Sequence, residues 1–61
     1  MHEEHEYLGI DYDLYPFKMQ GETEWIAVSS IGRGLGETRE EAISDIEEII
    51  ETYFYHGNGM E

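Results

Sequence analysis

An α+β fold is expected from this chain. It would be a small antiparallel sheet of two to three strands, with room for a fourth, and one long amphipathic helix packed on one face. Three observations point to it. Residues 7–17 alternate apolar and polar with period two. Residues 25–31 form a second short run rich in β-branched and aromatic side chains. Residues 38–55 repeat their apolar residues at three- and four-residue steps.

In the first strand Leu8, Ile10, Tyr12 and Leu14 share one face, and Gly9, Asp11 and Asp13 the other. Pro16 ends regular pairing or marks a bulge or an edge. Residues 18–24 are polar, and Gly21 offers a turn. In the second strand Ile26 and Val28 fall on one face and Trp25, Ala27 and Ser29 on the other. The glycine-rich residues 32–36 are either a short third strand or an irregular loop, because three glycines in five residues weaken a strand.

The helix is the clearest element. Thr38 is placed to cap the Glu41 amide while Glu41 reaches back, the pattern of a capping box. Glu37, Glu40 and Glu41 suit the positive end of the helix dipole. Ala42, Ile43, Ile46, Ile49, Ile50, Tyr53 and Phe54 form the apolar stripe. Gly57 would stop the helix, and His56 would sit at its favourable C-terminal end. Residues 1–6 and 57–61 are expected to be flexible tails of a single domain spanning 1–61. The helix stripe should cover Leu8, Ile10, Tyr12, Leu14, Ile26 and Val28. Trp25, Ala27 and Tyr15 would then face solvent, making Tyr15 and Trp25 candidates for self-association, unless Trp25 folds over Phe17 and Met19.

Length and charge narrow the function. A chain of 61 residues makes one domain and buries about 60 % of its unfolded surface, so self-association is an expected source of extra stability. It has no cysteine, which excludes a disulfide staple, a thiolate metal site and a cysteine nucleophile. Three Lys+Arg against fifteen Asp+Glu give a formal charge of −12. Such a field repels phosphate and anionic membranes and favours a basic protein partner. Hydrophobic residues at 39 % are too many for a disordered acidic tail. No apolar run spans a bilayer and no basic-then-apolar leader begins the chain, so a cytoplasmic location is the default expectation.

Four constellations suggest chemistry, and three have plain structural explanations. His2-Glu3-Glu4-His5 lacks the i, i+4 histidine spacing of a zinc protease helix. Gly32-x-Gly34-x-Gly36 misses the phosphate-loop spacings, and glutamates crowd the helix start where an anion would dock. Asp11 and Asp13 share a strand face and could hold a divalent ion in a small metal-dependent enzyme, with His2 or His5 assisting. As solvated strand residues they would also discourage edge-to-edge aggregation. The fourth is the helix carboxylate row, Glu40, Asp45, Glu47, Glu48 and Glu51, with Arg39 as the helix's one basic residue. A helix that needed only solubility would mix Lys with Glu. A one-sided row suits a groove of Lys and Arg.

Three segments resemble the HicB-like antitoxin family: Glu24-Trp25-Ile26-Ala27-Val28, Gly36-Glu37-Thr38-Arg39-Glu40-Glu41-Ala42, and Ile46-Glu47-Glu48-Ile49-Ile50-Glu51. The resemblance covers about residues 7–55. It implies a degenerate RNase H-like β-β-β-α-β domain without catalysis, which blocks a small basic RNA-cleaving toxin and often oligomerises. The family's Pro-Asp-Leu-Pro-Gly-Cys loop is replaced here by Ser29-Ser30-Ile31-Gly32-Arg33-Gly34-Leu35, so contacts of that loop do not carry over. A C-terminal DNA-binding segment has no counterpart, and operon regulation is not expected of this chain alone.

The expected function is therefore a non-enzymatic, cofactor-free acidic inhibitor of a basic nucleic-acid-binding or RNA-cleaving protein. It would bind through Glu40, Asp45, Glu47, Glu48 and Glu51 and form a homodimer or higher homo-oligomer. A phage-encoded inhibitor of bacterial defence, such as an anti-CRISPR, is the alternative on the same scaffold. The metal-dependent enzyme using Asp11 and Asp13 is the alternative from another class.

Overall fold

A computed structural model describes residues 2–59, with side chains for all of these except 19 and 56–59. Four strands, β1 (Glu3–Tyr7), β2 (Ile10–Met19), β3 (Glu22–Ser29) and β4 (Gly32–Gly36), precede the single helix α1 (Arg39–Gly59). The strands form one antiparallel sheet in the order β1-β2-β3-β4. The fold is thus α+β with a β-β-β-β-α order, and the fourth strand precedes the helix.

Three two-residue turns set the register. At 8–9 and 20–21 the central residues all carry positive φ: Leu8 at 52°, Gly9 at 83°, Gln20 at 56° and Gly21 at 85°. That is the pattern of a type I′ turn, whose twist matches the strands it joins. In the turn at 30–31, the Ser29 hydroxyl donates to the Gly32 carbonyl and accepts from the Ile31 N–H.

The first turn corrects two expectations. Residues 3–6 are not a frayed tail but most of β1, in register with Asp11–Leu14. Leu8 is not in the core; it occupies the turn and is 55 % exposed. The long alternating run is a hairpin corner followed by β2, whose Tyr12 and Leu14 do reach the core. Pro16 does not stop β2, which pairs with β3 as far as Met19. It lies beyond Leu14, where β1 pairing ends, so β2 is an edge strand on that side and tolerates a missing N–H.

The second turn inverts the expected face of β3. It sets Met19 opposite Glu22, and therefore Leu14 opposite Ala27 and Tyr15 opposite Ile26. Cross-strand partners share a face. Ala27 is accordingly fully buried beside Leu14, and Trp25 packs against the core on the helix side. Ile26 and Val28 are half-buried on the outer face with Tyr15.

The helix covers β4 and β3 most closely and β2 less. Ala42, Ile46 and Ile50 form its fully buried line and meet Tyr12, Leu14 and Ala27 in the core. Thr38 caps as expected: its Oγ1 accepts from the Glu41 N–H at 3.1 Å. Glu41 reaches back one residue further than a capping box requires, to the Glu37 N–H. Gly57 does not stop the helix, which continues to Gly59. At 21 residues it is about 31 Å long and overshoots the short strands, leaving Tyr53 half exposed. The side chain of His56 and residues 60–61 lie outside the described residues.

The glycines of residues 32–36 are what make a strand possible there. A Cβ on Gly34 would stand 2.6 Å from the Ile46 nitrogen and 2.9 Å from the Ala42 oxygen. One on Gly36 would stand 2.5 Å from the Ala42 nitrogen. The helix backbone rests directly on the β4 backbone, and only glycine leaves room.

Gly34→Ala should destabilise the fold by about 1–3 kcal/mol, because backbone atoms, not a flexible side-chain end, stand in the way; urea denaturation checks this. Leu8→Asn should stabilise it by roughly 0.5–1 kcal/mol, since Asn accepts positive φ far better and Asn-Gly favours this turn. A melting temperature that does not rise would contradict the assigned turn.

Candidate functional site

The carboxylates divide into those the fold uses and those it leaves free. Arg39, in the first turn of α1, reaches across to β1 and holds Glu3 through Nη2 at 2.7 Å and Nε at 2.9 and 3.1 Å. His5 adds a contact to Glu3 at 2.8 Å and stacks on Tyr12 with ring centroids 5.3 Å apart. At the other end of β1 the Tyr7 hydroxyl donates to Glu51. The β1 residues facing the helix are therefore fastened by polar contacts, where the rest of the sheet has an apolar core.

These contacts shift proton affinities. The guanidinium of Arg39 and the imidazole of His5 hold the Glu3 carboxyl at about 2. The bond to Glu51, helped by partial burial and by Glu47, pushes the Tyr7 phenol up to about 12. Burial, and then Glu47, also raise Tyr12.

The expected helix row is split by this arrangement. Asp45 is on the β4 flank, where its Oδ2 accepts the Leu35 N–H at 3.0 Å. It caps a backbone donor of an edge strand and lies on the other side of the helix from Glu40, Glu47 and Glu51. Glu41, on the same flank, is used in the cap. Glu40, Glu47 and Glu51, at i, i+7 and i+11, fall on the opposite flank, toward β1, and Glu48, seven residues on from Glu41, lies on the outward side between the two flanks. Glu51 is exposed but tied to Tyr7, and Glu40 lies 3.7 Å from Arg39, whose main partner is Glu3. Glu47 and Glu48 make no side-chain ion pair among the described residues.

A second acidic group was not anticipated in the sequence. Glu4 faces Asp13 and Glu6 faces Asp11 across the β1–β2 ladder. All four are exposed on the outer face of the sheet, at its β1–β2 corner. Together with His5 and Tyr12 they line an open depression of about 350 Å³. The signal was present as the alternation of Glu4 and Glu6 with His5 and Tyr7, but it holds no aliphatic residue.

Asp11 and Asp13 share the outer face of β2 but do not belong to one group of converging ligand atoms among the described residues. The residues able to converge on a divalent ion are His2, Glu4 and Asp13, with donor atoms within 4.8 Å of one another. All three are exposed, and His2 already contacts Asp13 at 3.1 Å. Asp11 stands outside this group, opposite Glu6.

Tyr15 and Trp25, the expected self-association pair, lie on opposite faces. Tyr15 is on the outer face with its ring edge-on to His2 at 6.1 Å, and Trp25 is on the helix side. They cannot form one surface. Among the described residues no helix is long and apolar enough to cross a membrane. Comparison with family models, curated proteins and solved structures finds no match for the chain.

The shifted groups give the pH dependence its signs. The depressed Glu3 contributes stability that is present above about pH 4.5 and is lost as pH falls through about 2. The raised Tyr7 contributes stability that is full below about pH 10 and is lost as pH rises through about 12. Glu51→Gln should bring the Tyr7 phenol back toward its ordinary value near 10 and flatten the alkaline limb of the melting-temperature profile. Tyrosine ring resonances followed by NMR titration check the first effect, and thermal melts against pH the second.

Proposed function

We propose that this chain is a non-enzymatic acidic binding protein of the kind the HicB-like resemblance implies, although its fourth strand precedes the helix where that family's β-β-β-α-β order has it follow. It would occupy the nucleic-acid site of a basic, RNA-cleaving or nucleic-acid-binding protein. The observation that carries this reading is the flank of α1 bearing Glu40, Glu47 and Glu51, with Glu48 on the adjoining outward side. Its only neighbouring arginine is committed to Glu3, and the net charge of the chain is −12. An uncompensated row repels itself, so a fold that keeps one on a rigid helix has reason to meet cations elsewhere. The helix is fixed against β4 by backbone contact, so the row is presented with no backbone left to order on binding.

Asp45 is removed from the interface first expected, and Glu51 serves both the fold and the row. Glu47 and Glu48 are the residues best placed to engage a partner without structural consequence.

The test is affinity capture from the native host, followed by displacement of nucleic acid from what is captured. A basic nucleic-acid-binding protein should be retained at low salt, released steeply as salt rises, and lose its nucleic acid to the chain. The double variant Glu47→Lys, Glu48→Lys should weaken capture by about tenfold or more with an unchanged circular dichroism spectrum. Undiminished capture by that variant would refute the acidic flank as the docking element.

A further inference from the structure

The outer face of the sheet carries no covering element among the described residues, because the helix lies on the other side. Its side chains are arranged in rows across the strands. One row runs Glu4, Asp13, Val28, Arg33, and the next runs from Tyr15 through Ile26 to Leu35. Glu6 and Asp11 flank the first row, and Phe17 flanks the second. The face is therefore acidic at its β1–β2 corner and largely apolar across β2, β3 and β4, with Glu24 beside Phe17 and Arg33 at the β4 edge. Tyr15, Phe17, Ile26 and Val28 are half-buried and Leu35 is 54 % exposed. Phe17, Ile26, Gly32, Arg33 and Leu35 line a shallow groove of about 630 Å³ across the apolar part.

We infer that this face docks an amphipathic, Lys/Arg-rich helix of a partner protein. Its apolar stripe would lie over Tyr15, Ile26 and Leu35, and its cations would reach Glu4, Glu6, Asp11 and Asp13. A sheet buries a bare apolar face against a helix or another sheet, and a helix here would complete a three-layer arrangement with α1 on the far side. Charge decides against a second copy of this chain. A standard interface takes on the order of 800 Å² from each partner. Five apolar side chains fall short of that, so a stable contact must extend over the acidic corner. A second copy could offer that corner one arginine, Arg33, against four carboxylates, whereas a Lys/Arg-rich helix brings a cation to each and uses both halves of the face at once. This inference rests on the proposal that the partner is a basic protein, and it adds to the contact on α1 a second one, on the sheet, which the peptides below test by itself.

The experiment uses the full chain and two synthetic peptides of about 18 residues, long enough for five helical turns. One has leucines at i, i+3, i+4 and i+7 with lysines elsewhere; the other has the same composition scrambled so that no stripe forms. Binding is measured by calorimetry and mapped by amide chemical shifts. The striped peptide should bind at least about tenfold more tightly than the scrambled one, with shifts at Asp13, Ile26 and Leu35. Leu35→Glu, an exposed position, and the double variant Asp11→Lys, Asp13→Lys should each weaken it by about tenfold or more. Glu47→Lys, Glu48→Lys should change it by no more than about twofold, which separates this surface from the helix flank. Equal binding of the two peptides would overturn the inference, as would shifts confined to α1. So would a homodimer in sedimentation velocity that Leu35→Glu dissociates, since a second copy would then be the occupant.

Discussion

The contact on which the structure depends is the helix backbone lying on the backbone of β4. Side chains normally hold a helix about 8–10 Å from its packing neighbour. Here Gly34 and Gly36 have none, and the Ala42–Ile46 turn settles into the space. The approach determines where the rest of the helix goes. It lies over β4 and β3, buries Ala42, Ile46 and Ile50 completely, and reaches β1 only through long polar side chains. A 61-residue chain has few apolar residues to spend. Bringing backbones into contact lets six buried side chains make a closed core.

The polar contacts at β1 follow from the same placement. With the helix axis over the β4 side, the helix-facing residues of β1 lie under its flank, where Glu3, His5 and Tyr7 meet Arg39, Tyr12 and Glu51. These partly exposed interactions are individually weak, because water screens them. What they fix is position: one sits at each end of β1, so the strand is held in a single register despite lacking an aliphatic residue. The cost falls on the acidic helix. Arg39, the helix's one arginine, is drawn to Glu3 and keeps only a 3.7 Å contact with Glu40, so Glu47 and Glu48 stay unneutralised.

Much of this was legible in the sequence. The period-3.6 stripe, the Thr38 cap and the alternation of Tyr12 and Leu14 each state one local preference that the tertiary structure does not oppose. β1 was obscured because its alternation is written in Glu, His and Tyr, which a hydrophobic pattern does not register. The face of β3 was obscured for a different reason. Trp25, Ala27, Ile26 and Val28 are apolar on both sides, so composition cannot choose between them. The choice is made by loop length: a two-residue turn at 20–21 sets Leu14 opposite Ala27, and a slip of one residue would exchange every side chain. The glycines of β4 misled because a strand propensity averages over neighbours, and here the neighbour is a helix backbone that excludes anything larger.

The carboxylates divide by the same logic. Glu3, Glu41 and Asp45 each accept hydrogen bonds that close a strand, a helix start or a sheet edge, and they would be required whatever the protein binds. Glu47 and Glu48 on the helix, and Glu4, Glu6 and Asp11 on the sheet, satisfy no such backbone or arginine contact among the described residues. They lie on two surfaces separated by the thickness of the molecule. A purely electrostatic attraction would draw cations to both alike, since it falls off only over a Debye length of about 8 Å. What distinguishes the two surfaces is apolar area. Beside its carboxylates the helix flank has single tyrosines, Tyr7 and Tyr55, whereas the sheet face has a row of apolar side chains across three strands. Long-range attraction and short-range adhesion are thus supplied together on the sheet face, whereas the helix flank supplies mainly the field.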